Sequence, residues 1–264
     1  VRVCTLASGS KANATLVEVG ETRLLVDNGL GPRILAKRLA DAGVAPQSIS
    51  AIVVTHEHID HVKGIAQAVA KWGFAVYATR GTLQGIRDVP APQQHAIAYG
   101  RPHAIGDCTV ELVRVPHDAA QPAAVVITAT RSGARLGVAT DLGHVPEELA
   151  AAFARLDVLV FESNHDEEML RNGPYPPFLQ ARIACDTGHL SNRQTGALLQ
   201  RVVHKGLRHV LLAHLSQQNN EPAVALRAAK DALKKTAFRG ALACASQDQV
   251  TLPGGGRSQY ELGI

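Results

Sequence analysis

Short apolar runs, most of them ending in a polar or charged residue, recur along the chain. Residues 1–6 read as a first strand, 15–19 alternate as a second, and 23–26 form a third that stops at Asp27-Asn28-Gly29. Further strands are expected over residues 50–55, 75–78, 109–115, 125–128, 135–139, 157–162 and 210–213. Over residues 32–42, Ile34, Leu35 and Leu39 recur at helical spacing among Lys37, Arg38 and Asp41, and Gly43 closes the segment, which predicts an amphipathic helix. Residues 62–72 are predicted as a second helix, and Ser132-Gly133 as the turn of a hairpin. From 79 to 106, Pro90, Pro92 and Pro102 break any long element. Strands and helices in this order over 264 residues predict one α/β domain covering residues 1–264.

Composition narrows the picture only a little. Apolar residues make up 46% of the chain, enough for a sizeable core, and a net charge of +4 permits an acidic partner without demanding one. Cys4, Cys108, Cys185 and Cys244 are too scattered for a zinc ribbon or a redox pair, so reduced thiols in a cytoplasmic protein are expected. The first residues lack the apolar stretch of a secretion signal, and no run approaches the ~20 residues that cross a bilayer. Aromatics, at 4%, are too few for a single-strand stacking platform.

Chemistry is concentrated in Thr55-His56-Glu57-His58-Ile59-Asp60-His61, directly after an apolar strand. One histidine there would read as a ring satisfied by backbone or water. Three histidines and an aspartate within six residues instead read as a metal-binding loop, and imidazole with carboxylate suits zinc, manganese or iron rather than calcium. Elsewhere His117 and His214 each follow a strand, Asp27 and Asp141 each end one, and Ser191 or Asn192 is placed to cap a helix. Asn13 is placed to hydrogen-bond across the turn that begins at Ala7. His95 and His103 lack ligand-type neighbours, and His144 sits where a helix is expected to start, so all three stay outside the candidate site.

The His-x-His-x-Asp-His spacing resembles the signature of the metallo-β-lactamase superfamily. That resemblance implies a four-layer αββα sandwich with a metal site at one rim. It further implies that His56, His58 and His117 hold one divalent ion, that Asp60, His61 and His214 hold a second, and that Asp141 bridges them. Asp27 is then a residue that orients the histidine loop from beneath, and Asp118 a loop or supporting group. The two ions are expected to be zinc or manganese, with iron also compatible.

Further strings, Leu6-Ala7-Ser8-Gly9-Ser10 with Asn13, Glu162-Ser163-Asn164-His165-Asp166, Gly188-His189-Leu190-Ser191-Asn192 and His214-Leu215-Ser216 with Asn219-Asn220, are similar to the YycJ/WalJ group of that superfamily. Where that group carries Ser-Ser-Gly-Asn, this chain has Ser10-Lys11-Ala12-Asn13. The likeness implies a 5′-to-3′ exonuclease acting on double-stranded DNA by attack of metal-activated hydroxide, with Asp60 and His189 as catalytic groups and His189 protonating the leaving oxygen. Asn164, His165 and His189 are the expected substrate-binding residues, and Lys11, Arg33, Arg171 and Arg193 are candidate contacts to DNA phosphates. The alternative is a phosphodiesterase for a small cyclic phosphate, using the same metals.

Overall fold

Period-two burial organises the strands. In β3 (Thr22–Val26), Leu24 and Val26 face one core while Leu25 faces another, and in β11 (Val158–Glu162), Val158 and Val160 are separated in the same way from Leu159 and Phe161. A strand buried on both faces must be the inner layer of a stack. The computed structural model describes residues 1–252, and within them two sheets pack face to face with helices outside each.

The first sheet has six strands in chain order: β1 (Arg2–Ala7), β2 (Ala14–Val19), β3, β4 (Ala51–Val53), β5 (Ala75–Ala78) and β6 (Gln94–Ala96). The first three pair antiparallel and the remainder parallel. β7 (His103–Ile105), β8 (Cys108–Arg114), β9 (Ala123–Ala129), β10 (Arg135–Ala139), β11, β12 (His209–Ala213) and β13 (Ala241–Cys244) form the seven-stranded second sheet, antiparallel up to β10 and parallel from β10 to β13.

Val17, Leu24 and Val53 meet Val125, Val138 and Val160 between the sheets. Outside the first sheet, Leu35 and Leu39 of α1 (Pro32–Asp41) and Ile65 and Val69 of α3 (Ile65–Trp72) cover Leu25, Ile52 and Val76. Outside the second, α5 (Glu147–Ala152), α8 (Asn192–Val202) and α9 (Pro222–Leu233) cover Leu159, Phe161, Val210 and Leu212. The result is the expected αββα sandwich.

Two expectations at the histidine loop need correction. The strand predicted over 50–55 ends at Val53, and the helix predicted over 62–72 is split into α2 (Ile59–Val62) and α3. The break falls at Gly64, whose amide donates to Asn28 O at 3.0 Å and where a Cβ would lie 1.8 Å from Leu30 O. Close approach to the loop after β3, rather than helical propensity, decides the local path. Among the described residues, no helix is long and apolar enough to cross a membrane.

Candidate metal centre

The parallel strands β3, β4, β10, β11 and β12 end at one rim, the place where open α/β sheets present their ligands. Just past or at those ends lie Asp27, His56, Asp141, Glu162 and His214. Asp27, Asp141 and His214 adopt φ of 61°, 62° and 54°, a left-handed conformation uncommon for non-glycine residues. Such residues persist where surrounding contacts over-determine them, and they cluster at functional sites.

Those contacts are visible. Asp27 accepts from Thr55 N and Thr55 Oγ1, each at 2.8 Å, and its Oδ2 accepts from His61 Nδ1 at 2.8 Å. Thr55 Oγ1, having given its proton to Asp27, takes the Nδ1 proton of His56 at 3.0 Å. His117 donates Nδ1–H to Thr187 O at 3.0 Å, and His214 donates Nδ1–H to Glu162 Oε1 at 3.0 Å. Four imidazoles are thereby held in the tautomer that turns Nε2 inward. His58 is the exception, because its Nε2 meets Asp118 O at 3.2 Å and its Nδ1 faces His117 Nε2 at 3.2 Å.

Two triads result. His56, His58 and His117 bring ring nitrogens together in one, and Asp60, His61 and His214 bring ligand atoms together in the other. Asp141 adjoins both: it groups with His56 and His61, and its Oδ2 lies 3.0 Å from His61 Nε2. Three buried atoms at this meeting point, His56 Nε2, His214 Nε2 and Asp141 Oδ2, lack a hydrogen-bond partner among the described residues. Each such atom costs about 1–3 kcal/mol if nothing satisfies it. Lone pairs on imidazole and carboxylate, converging without partners, are the donor set of a divalent transition ion. These residues fit the implied metal.

Charge divides the ligands: burial opposes charge on His214, yet Asp141, Asp60 and Glu162 push it up to about 10, so an ion would have to displace protons from part of the cluster. Burial, joined by the neighbouring His61, holds His56 well below the ordinary imidazole value, and burial does the same for His117, so both offer lone pairs at neutral pH. Burial also opposes charge on His61, yet the Asp141 and Asp27 carboxylates push it well above that value. Asp141 itself would be raised by burial, but His214 and His61 hold it well below the usual carboxylate range.

The site opens into a cavity of about 220 Å³ lined by both triads' outer members together with Ser10, Asp118, Arg182 and His189. His189 Nδ1 lies 2.9 Å from Glu162 Oε1 and 3.5 Å from Asp141 Oδ1, so its ring is anchored beside the metal-ligand cluster. Burial alone would lower His189, but the Glu162 carboxylate raises it.

Sequence reasoning missed two participants. Glu162 is fully buried, its Oε2 accepting from Leu142 N and Leu190 N while Oε1 serves both His189 and His214. The available signal was an acid ending a wholly apolar strand, the same signal that singled out Asp27. Asn13 was expected to close its turn; it does so through Gly9 N and Gly9 O, and its Nδ2 also reaches Asp60 Oδ2 at 3.1 Å. Asp118 supports His58 through its backbone oxygen, and Arg182 bonds its carboxylate at 2.7 Å.

Other expected residues lie elsewhere. Asn164 and His165 do not line the metal-site cavity: Asn164 Nδ2 is committed to His214 O at 2.9 Å, and His165 lines a separate cavity behind α7 (Pro177–Ala184). His95 stacks on Tyr77 with ring centroids 4.7 Å apart, and His144 Nδ1 donates to Asp186 O.

A family model described as a beta-lactamase superfamily domain matches residues 22–215, and the chain belongs to that family. It is 35% identical over 237 residues to an exodeoxyribonuclease YycJ of Bacillus anthracis, covering 88% of this chain and 89% of that one. It is 34% identical over 221 residues to an exodeoxyribonuclease WalJ of Streptococcus pneumoniae serotype 2, covering 81% of each. Among solved structures, the metallo-beta-lactamase fold protein YhfI from Bacillus subtilis matches with a TM-score of 0.71 at 18% identity, over 94% of this chain and 98% of that one. The likeness to the YycJ/WalJ group expected from local motifs thus extends over most of the chain, and the metallo-β-lactamase fold over nearly all of it.

Proposed function

We propose that this protein is a metal-dependent phosphodiester hydrolase, a 5′-to-3′ exonuclease of double-stranded DNA with a dinuclear centre, working in the cytoplasm. The observation that carries the reading is the pair of triads meeting at Asp141, with His56 Nε2, His214 Nε2 and Asp141 Oδ2 buried and unpartnered between them. The exodeoxyribonuclease names of the relatives support DNA as the substrate. Four cysteines without a disulfide fit a reducing compartment.

His56, His58 and His117 would hold one ion and Asp60, His61 and His214 the other, with Asp141 shared. Zinc or manganese suits this donor set, and iron is compatible. Bound there, such ions would supply Lewis acidity toward a phosphodiester and an activated water near neutral pH.

The chain's own groups do the rest. Asp27, Thr55, Glu162 and the Thr187 carbonyl fix the inward tautomers, so that the site is preorganised before substrate arrives. His189, its Nδ1 anchored on Glu162, presents Nε2 to the cavity as the proton donor to the leaving oxygen. Asp60 serves as ligand and as the carboxylate that Asn13 positions at the turn after β1.

The test is cleavage of end-labelled linear duplex DNA in manganese, beside a cyclic phosphodiester under matched conditions. Native protein is expected to shorten the duplex from its 5′ ends, Asp60→Ala to lose activity, and His189→Ala to lose about 10²–10⁴-fold, the usual contribution of a positioned proton donor. Cleavage of the cyclic ester with none of the duplex would reject DNA as substrate. Full activity in His189→Ala would leave the metal site intact but remove the proton donor.

A further inference from the structure

Helix α7 has no buried residue, and its opposite faces line different cavities. Leu179, Arg182 and Ile183 face the metal-site cavity, whereas Pro177, Gln180, Ala181 and Ala184 face a second cavity of about 470 Å³. The i, i+3, i+4 spacing on each side makes the helix a partition one helix diameter thick, ~10 Å. A strand end lying over it could reach both chambers.

The second chamber combines two kinds of wall. Leu170, Pro177, Ala181 and Ala184 supply apolar surface, and its volume lies within the roughly 300–1,000 Å³ of small-ligand sites. Arg171, Arg193, Gln180 and Gln194 line the same chamber, with Ser191 and Arg193 at the first turn of α8, whose N-terminus favours anions. The charged lining is two guanidiniums against one carboxylate, Glu167, which accepts from Arg193 Nε at 2.9 Å. His165 also lines this chamber; it is buried, and its Nδ1 has no hydrogen-bond partner among the described residues. Burial holds that imidazole below its ordinary value, so it offers a neutral hydrogen-bonding group.

Apolar lining together with a guanidinium pair and a neutral imidazole suits one ligand chemistry, a heteroaromatic ring joined to a phosphate. We infer that the cavity behind α7 is a subsite for a nucleoside monophosphate, either the terminal nucleotide of a DNA strand or the free mononucleotide. The inference rests on the proposed nuclease function only for the source of that ligand.

Calorimetric titration of the full-length protein with deoxyadenosine 5′-monophosphate, deoxyadenosine and inorganic phosphate tests it. The monophosphate is expected to bind more tightly than either fragment, and both Arg171→Glu and Ala181→Trp, changes at exposed positions, are expected to weaken it at least tenfold. Unchanged affinity in both variants would place the ligand elsewhere and overturn the inference, as would phosphate binding as well as the nucleotide does. Cleavage of 5′-phosphorylated against 5′-hydroxyl duplex separates the sources. A preference for the phosphorylated end that Arg171→Glu abolishes supports the strand terminus, and equal rates with nucleotide binding retained support the free mononucleotide. Nucleotide binding without any DNA cleavage would keep the subsite and reject the nuclease reading; cleavage without nucleotide binding would do the reverse.

Discussion

Glu162 Oε1 stands 2.9 Å from His189 Nδ1, and the same oxygen lies 3.0 Å from His214 Nδ1. One buried carboxylate therefore orients both a candidate ligand and a candidate proton donor, which makes the two roles inseparable by mutation at this position. The two imidazoles hold Glu162 down to about 2 against the raising effect of its burial, so it is ionised across the neutral range.

Replacing it isosterically is the informative change. Glu162→Gln keeps the shape but must turn its NH2 either toward both imidazole donors or toward Leu142 N and Leu190 N, leaving donors facing donors. Loss of about 10–100-fold in metal affinity or activity is expected, typical for a group that orients a metal-ligating histidine. Metal content after dialysis, measured with the rate of phosphodiester cleavage, checks it. Unchanged metal content and rate would show that neither histidine depends on Glu162.

Asp27 plays the matching role under the histidine loop. Asp27→Ala removes the acceptor for Thr55 N, Thr55 Oγ1 and His61 Nδ1 together, and puts alanine at φ 61°, where its Cβ crowds the following carbonyl with no side-chain contact to offset the strain. Buried donors left unpaired cost about 1–3 kcal/mol each, so a loss of several kcal/mol in chemical denaturation is expected along with weak metal retention. Native-like stability would mean that the loop is held by its backbone contacts alone.

Those backbone contacts make a separate prediction. Asn13 N bonds Asp60 O, Asn28 N bonds His61 O and Gly64 N bonds Asn28 O, so three segments interlock around the metal loop. The interlock has no room at Gly29, where a Cβ would lie 1.9 Å from Asp60 O, or at Gly64. Gly64→Ala is expected to cost at least the ~1–3 kcal/mol of overpacking, and to displace the histidine loop. A melting temperature and metal content equal to the native protein's would contradict this packing.

This interlock also marks the limit of what was legible in the sequence. The apolar run Leu24-Leu25-Val26 was enough to predict a strand, and Thr55 to His61 enough to predict the metal loop, because those patterns are local. The strands that precede His117, Asp141 and His214 were legible in the same way, but that these residues join the loop was implied only by resemblance. The split at Gly64 was invisible because its cause, Leu30 O, lies across the fold. Asn13 and Glu162 were passed over for the same reason: a turn asparagine and a strand-end acid have ordinary local explanations. The placement of His165 failed because its neighbour Asn164 turns into the His214 network while His165 faces the other side of α7. Helix α9 buries Ala225, Ala229 and Leu233, a mostly alanine face that carries no motif, and it lies at the end of the recognisable strings.

Thiol reactivity tests the packing away from the metals. Burial pushes the Cys4 thiol up to about 12, Cys108 up to about 11 and Cys244 up to about 12, whereas Cys185 is exposed at the end of α7. The thiolate is the reactive form, so raised values suppress reaction at pH 8. One fast-reacting thiol is expected with a disulfide reagent on the native protein, assigned to Cys185 by its loss in Cys185→Ser, with half-buried Cys244 reacting slowly and buried Cys4 and Cys108 only after denaturation. Two or more fast thiols would show that the sheets open more readily than their packing implies.

Removing the metals should expose what they stabilise. Without an ion, His56 Nε2 has no hydrogen-bond partner among the described residues, and Asp141 Oδ2 and His214 Nε2 have only His61 and Asp60 beside them, while the left-handed Asp141 and His214 backbones are held at that point by their side-chain contacts. A ligand that binds the folded chain and not the unfolded one stabilises it by mass action, by about 4 kcal/mol when present at a thousand times its dissociation constant. Chelation is therefore expected to lower the melting temperature by several degrees, with recovery on adding zinc or manganese and no such shift in an Asp141→Ala, His214→Ala double variant. A melting temperature indifferent to chelator, in protein shown to have carried metal beforehand, would mean that the rim is held by Asp27 and Glu162 alone and that the ions add reactivity without adding stability.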